Sequence, residues 1–200
     1  MTHPRLAFLG TGYLGATYAI CFAELGYEVL GFDVDQGKIA MLAAGEVPFH
    51  EPGLPDLLRR NLAAGKLRFT TSYAEVADFA DVHFICVGTP QRPDSNSADL
   101  TYVESVVTNL APLLRRRALI VGKSTVPVGT AAWVEQLVAR HTDPALQIEV
   151  AWSPEFLQEG FAVEDVLRPT RIIAGVRSTW ANDLLQIGRA SCRERVCLLV

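Results

Sequence analysis

The stretch that most constrains the fold is residues 6–35, LAFLGTGYLGATYAICFAELGYEVLGFDVD. An apolar run at 6–9 leads directly into Gly10-x-Gly12-x-x-Gly15, then helical spacing over 14–25, then a second apolar run at 29–32. Strand, tight turn, helix and strand in this order make a βαβ unit, and the two strands of such a unit lie parallel. The alternation continues, with strand-length runs at 67–70, 82–87, 118–121, 148–151 and 171–175. Helical spacing marks 38–44, 55–64, 100–110, 129–139 and 161–167. The expected fold is α/β, a doubly wound and mostly parallel sheet with helices on both faces.

The glycines say what that sheet is for. Gly10 permits the tight turn, Gly12 lets the backbone approach a pyrophosphate, and Gly15 lets the helix pack closely on the strand. The helix start offers free N–H groups and the positive end of its dipole to an anion. Asp33 ends the second strand, eighteen positions after Gly15, where a carboxylate can accept hydrogen bonds from an adenosine ribose. Together these predict a Rossmann-like dinucleotide site. The charge around Asp33 favours NAD over NADP: Asp35 is close in sequence and no arginine is adjacent, so a 2′-phosphate would meet negative charge. A ribose diol would instead gain a charge-assisted bond of about 1.5–3 kcal/mol.

Composition excludes other classes. The chain has 200 residues, half of them hydrophobic, and a formal net charge of −4, which suits a globular domain with a real core. Basic residues cluster only at Arg115, Arg116 and Arg117, predicted to cap a helix C-terminus and face water, so no nucleic-acid partner is expected. No apolar stretch approaches the roughly 18 residues of a membrane span, and a cytoplasmic protein without a membrane partner is expected. Cys21, Cys86, Cys192 and Cys197 have the spacing of neither a disulfide framework nor a zinc site, so no metal is expected.

Three further stretches leave predicted strands at the carboxyl edge of the sheet, where ligands of open α/β sheets bind, or lie beyond them. The first is FICVGTP (84–90), and the second is GKSTVPVGT (122–130), which brings the hydroxyls of Ser124 and Thr125. The third, SPEFLQEG (153–160), is predicted as a helix with Ser153 at the N-cap, Pro154 at the first position, and Glu155 and Glu159 on one face. Either it is a solvated helix, or a carboxylate there positions a water.

GTGYLG, EPGLPDLL, CVGTP, STVPVGT and SPEFLQEG, in this order, resemble the UDP-glucose/GDP-mannose dehydrogenase family, across nearly all of residues 6–177. The run GFAVEDVLRPTRIIAGV is most similar to that of bacterial UDP-glucose 6-dehydrogenases. The resemblance implies oxidation of the sugar C6 alcohol of UDP-glucose, or a related nucleotide sugar, to a carboxylate, with NAD as cofactor, in a protein that is a homo-oligomer when full length. It implies that Gly10, Thr11, Gly12, Tyr13, Leu14, Gly15, Asp33 and Lys38 hold the adenosine and pyrophosphate. Val87, Gly88, Thr89, Pro90, Ser124 and Thr125 would border the nicotinamide half. Thr125 would orient a water, Glu155 would do acid/base work, and Glu159 would contact cofactor or substrate from the same helix.

The family's nucleophilic cysteine motif does not occur in this sequence. Cys86, the one candidate substitute within the predicted fold, is expected to be a small buried hydrophobe. The chain is expected to comprise an NAD-binding domain over 1–186 and a non-native tail over 187–200, where IGRASCRERV (187–196) resembles sequencing-adapter read-through. The chain alone would then lack turnover. The alternatives are a stand-alone NAD-binding module and a dehydrogenase of another nucleotide sugar, such as GDP-mannose or a UDP-N-acetylhexosamine.

Overall fold

The computed structural model describes residues 3–185 and the backbone of 194–199. Its strands are β1 (Leu6–Leu9), β2 (Val29–Phe32), β3 (Leu67–Thr70), β4 (Val82–Ile85), β5 (Leu119–Gly122), β6 (Glu149–Trp152), β7 (Arg171–Val176) and β8 (Glu194–Leu199). They form one sheet in the order β3-β2-β1-β4-β5-β6-β7-β8. From β3 to β6 every pairing is parallel, so all these strands end at the same edge. β7 turns the other way, antiparallel to β6 at Trp152 and Gly175, a direction that periodicity cannot reveal.

β1, β2, β4 and β5 are buried along their whole length, as central strands covered on both faces must be. The covering helices are α1 (Tyr13–Glu24), α2 (Gln36–Ala43), α3 (Leu54–Ala63), α4 (Tyr73–Phe79), α5 (Thr101–Leu110), α6 (Thr130–His141), α7 (Ala162–Leu167) and α8 (Thr179–Leu184). One face packs Leu6, Phe8, Val82, Phe84 and Val121 under α1, α3, α7 and α8, with the rings of Phe8 and Phe84 stacked at 4.7 Å. The other packs Ala7, Leu9, Ile85 and Ile120 under α4, α5 and α6. The doubly wound expectation therefore holds.

Two helices were not predicted. α4 and α8 span seven and six residues and, unlike the equally short α7, lie outside the segments marked by helical spacing. Each is announced only by its cap, Ser72 accepting from the Glu75 N–H and Ser178 from the Ala181 N–H. Of the arginine run, Arg115 caps a helical turn through the carbonyls of Pro112 and Leu114, and Arg116 donates to the carbonyl of Ala80, the C-cap residue of α4, at 3.0 Å. Arg116 pairs with Asp81 at 3.5 Å, and Arg117 pairs with Glu149 while lying over the Trp180 ring. The tail expected over 187–200 lies outside the described residues except for 194–199, whose backbone forms β8 parallel to β7.

His83 breaks the apolar pattern of β4. It is fully buried in register with Ala7 and Ile120, and neither ring nitrogen has a hydrogen-bond partner among the described residues. Burial, with a smaller contribution from the Arg116 charge, pushes its pKa down to about 4. A histidine so depressed binds its proton in the unfolded chain first, so stability is lost as pH falls from about 6.5 toward about 4. The full window is worth about 3 kcal/mol. We expect His83→Val to raise the urea midpoint at pH 7 and its advantage over the wild type to grow between pH 7 and pH 4.5. An advantage that stays constant across that range would mean His83 is not protonated on unfolding.

Candidate functional site

β2 and β3 lie on one side of β1, and β4 to β6 lie on the other, so the connections leaving β1 and β4 diverge and open a crevice at the strand ends. Residues 10–12 and 86–90 line its two sides. Gly10 has φ +97°, and a Cβ there would press on the Cys86 carbonyl at 3.0 Å. A Cβ on Gly15 would lie 1.8 Å from the Gly10 carbonyl oxygen, an impossible contact. Around Gly12 a Cβ would meet nothing within 4 Å. Among the described residues no side chain caps α1 and its first turn carries no acid, so its leading N–H groups face the open space over Gly12. The three roles expected of the glycines are therefore distinct in the geometry. Leu14 packs against the core and Tyr13 points its hydroxyl elsewhere, to Glu51 at 2.6 Å.

Asp33 follows β2 and is buried. Its Oδ2 accepts from the Thr11 N–H (2.9 Å), the Thr11 hydroxyl (3.1 Å) and the Lys38 ammonium (2.9 Å), and its Oδ1 from the Asp35 N–H (3.1 Å). Burial pushes this carboxyl up, but Lys38 and the two N–H groups outweigh it and hold it below the usual carboxylate range. The expectation of unpaired negative charge here needs correction. Lys38 neutralises Asp33, because the Asp35 cap starts α2 in the turn that sets residue 38 beside it.

The two loops after β4 and β5 are stitched together. Ser124 donates its hydroxyl to the Val87 carbonyl at 2.5 Å, and Thr89 donates to the Thr125 carbonyl at 2.7 Å. The Trp152 indole N–H closes the same region onto the Ser124 carbonyl at 3.0 Å. Gly88 and Pro90 are exposed beside this clasp, and the Thr125 hydroxyl has no partner among the described residues.

Residues 153–160 do not form the predicted helix. The Ser153 N–H extends the sheet to the Gly122 carbonyl, and Glu155 folds back to accept the Leu157 N–H at 2.6 Å. Gly160 takes φ +86°, so the helix begins only at Ala162. Glu155 and Glu159 thus do not share a helix face. Glu155 lies close enough to act on Lys123 and Cys86, and Glu159 on Tyr13. No hydrogen bond joins Thr125 to either acid among the described residues.

Two charged residues of this edge carried no predicted role. Lys123 is 5% exposed, with its ammonium 4.4 Å above the Tyr18 ring, and burial pushes its pKa down to about 8. A lysine directly after an apolar strand, in GKST, was the available signal. Glu51, in EPGLPDLL, is 2% exposed and accepts from Tyr13, Gly160 and Val163. Cys86 is buried as expected, and burial pushes its thiol up to about 12. Among the described residues no His, Cys, Asp and Glu cluster could hold a metal ion, and no helix is long and apolar enough to cross a membrane.

Residues 4–187 match the NAD binding domain of the UDP-glucose/GDP-mannose dehydrogenase family, and the chain belongs to that family. It is 44% identical over 172 residues to a UDP-glucose 6-dehydrogenase of Rhizobium meliloti, covering 86% of this chain and 39% of that protein. It is 45% identical over 186 residues to one of Pseudomonas aeruginosa, covering 91% and 41%. Among solved structures, a UDP-glucose dehydrogenase from Pyrobaculum islandicum superposes with a TM-score of 0.93 at 38% identity, over 98% of this chain and 46% of that one. The chain spans about two-fifths of the length of these curated relatives.

NAD is thus the cofactor of the domain, and the residues present fit it. The space over Gly12 is free, the α1 N-terminus is uncapped, and Asp33 Oδ1 keeps acceptor capacity beyond the Asp35 N–H. We expect Asp33→Ala to weaken NAD+ binding about 10-fold or more, the worth of a charge-assisted bond. The same change frees the Lys38 ammonium, so NADP+ should bind the variant better than the wild type. Calorimetric titration with both dinucleotides checks this, and equal losses for both would assign Asp33 to the fold alone.

Proposed function

We propose that the chain is the cofactor half of a nucleotide-sugar 6-dehydrogenase that converts UDP-glucose to UDP-glucuronate. The observation that supports this most is the crevice itself: an open glycine turn and the clasp of Thr89 on Thr125 lie at neighbouring strand ends. A dinucleotide laid from Asp33 over Gly12 would end at that clasp.

On this proposal, the backbone of Gly10, Thr11, Gly12, Tyr13, Leu14 and Gly15 holds the pyrophosphate, and Asp33 and Lys38 hold the adenosine ribose. Val87, Gly88, Thr89, Pro90, Ser124 and Thr125 border the nicotinamide. NAD+ supplies the hydride acceptor, twice for the four-electron oxidation. Thr89 fixes the Thr125 backbone by taking its carbonyl, which leaves the Thr125 hydroxyl to orient a water. Glu155 moves protons near that water, with the buried Lys123 ammonium close by. Glu159 contacts cofactor or substrate from the Tyr13 side. A thiolate is needed at the aldehyde stage so that a tetrahedral adduct can lose hydride. Cys86 does not serve, since its thiol is buried and pushed far above neutrality. The nucleophile, the nucleotide-sugar pocket and the homo-oligomer contacts are assigned to parts of the family protein these residues do not span. The 200 residues alone are accordingly inactive.

The test is a chimaera with residues 4–187 in place of the matching domain of the Rhizobium meliloti enzyme. It should release NADH on UDP-glucose, the sugar being held by the Rhizobium part, and Glu155→Gln should lower kcat by about 10²–10⁴. A chimaera that binds NAD+ and does not oxidise UDP-glucose would favour a binding module. Unchanged kcat in Glu155→Gln would return that residue to the surface.

A further inference from the structure

Glu51 is a buried carboxylate reached by donors from two distant parts of the chain, residue 13 and residues 160–163. Tyr13 donates its hydroxyl to Oε2 at 2.6 Å, the Gly160 N–H donates to the same oxygen at 2.8 Å, and the Val163 N–H donates to Oε1 at 3.3 Å. Tyr13 is the first residue of α1, so its backbone belongs to the glycine turn. Its ring rests on Phe49 at 5.0 Å, two residues before Glu51. Gly160 closes the acidic segment in a left-handed turn, and Val163 lies in the first turn of α7.

Among the described residues few other hydrogen bonds hold that segment beyond the Ser153 N–H to the Gly122 carbonyl. Glu155 binds within its own turn, and the Gln158 N–H reaches only forward to Asp165. Glu51 is the side chain whose hydrogen bonds join the segment to the cofactor turn. Both partners meet at one oxygen, so a movement of Tyr13 changes the acceptor that Gly160 uses. Burial pushes the Glu51 carboxyl up, but the Tyr13 hydroxyl and the N–H groups of Gly160, Val163 and Ala162 outweigh it, so the charge depends on keeping these donors.

We propose that Glu51 is a positioning residue that couples occupancy of the glycine turn to the placement of residues 155–160, with Tyr13 as the moving contact. This rests on the proposal above that Glu155 and Glu159 act at the reaction edge. A residue that only capped α7 would hold the segment equally with and without cofactor.

Hydrogen exchange on the full 200-residue chain, with and without saturating NAD+, separates the two. In the wild type NAD+ should slow exchange at Gly12 and Gly15, and also at Gly160 and Val163, the latter by about fivefold or more, the lower end of ordinary coupling between sites. In Glu51→Gln and in Tyr13→Phe, compared at saturation, the slowing at Gly160 and Val163 should vanish while that at Gly12 and Gly15 remains. Should Glu51→Gln not fold, Tyr13→Phe alone decides. Slowing confined to the glycine turn in the wild type, or slowing at Gly160 that survives Tyr13→Phe, would overturn the coupling and leave the cofactor site standing. No slowing at either place would overturn both.

Discussion

The contact on which the rest depends is the one between Gly15 and the Gly10 carbonyl, where the absence of a side chain lets α1 start against the end of β1. With α1 held there, its first turn faces the crevice between the connections from β1 and β4. Gly10 in turn must pass the Cys86 backbone with a positive φ, which draws the loop after β4 to the same place. Thr11, between the two glycines, is then close enough for its N–H and hydroxyl to hold Asp33. One steric condition thus assembles three strand ends into one edge.

Charge at that edge is kept by satisfying it. Asp33 and Glu51 are both buried and both held below the usual carboxylate range by donors from other elements, Lys38 and Thr11 for one, Tyr13 and Gly160 for the other. Charged groups lose several kcal/mol on burial without such partners, so each carboxylate also fixes the segments that supply its donors. Lys123 is the contrasting case, an ammonium over an aromatic face with burial drawing its pKa toward neutrality. His83, in β4, is buried without a hydrogen-bond partner among the described residues, and burial keeps it neutral.

Much of this was legible because two signals are local. β1, β2 and β3 fall where their apolar runs place them, and the tight turn at Gly10 and the close helix packing at Gly15 follow the glycine spacing. What escaped depends on distance or length. α4 and α8 are short and are announced only by the Ser72 and Ser178 caps. The helix predicted over 153–160 had a plausible cap and an i,i+4 pair, but sheet extension at Ser153 and the left-handed Gly160 prevent it. The Lys38–Asp33 pair was visible as two residues but not as a contact. Glu51 gave no local signal, because its partners lie 38 to 112 residues away.

Gly12→Ala separates fold from function most directly. Its φ of −67° suits alanine and a Cβ there meets nothing within 4 Å among the described residues, whereas it would occupy the space over the α1 N-terminus where the proposal lays the pyrophosphate. Thermal unfolding and NAD+ titration on the same variant should give a melting temperature within a few degrees of the wild type, since a cap change costs about 1 kcal/mol or less, and no measurable NAD+ binding. Undiminished NAD+ affinity in a folded Gly12→Ala would contradict the placement of the cofactor over this turn.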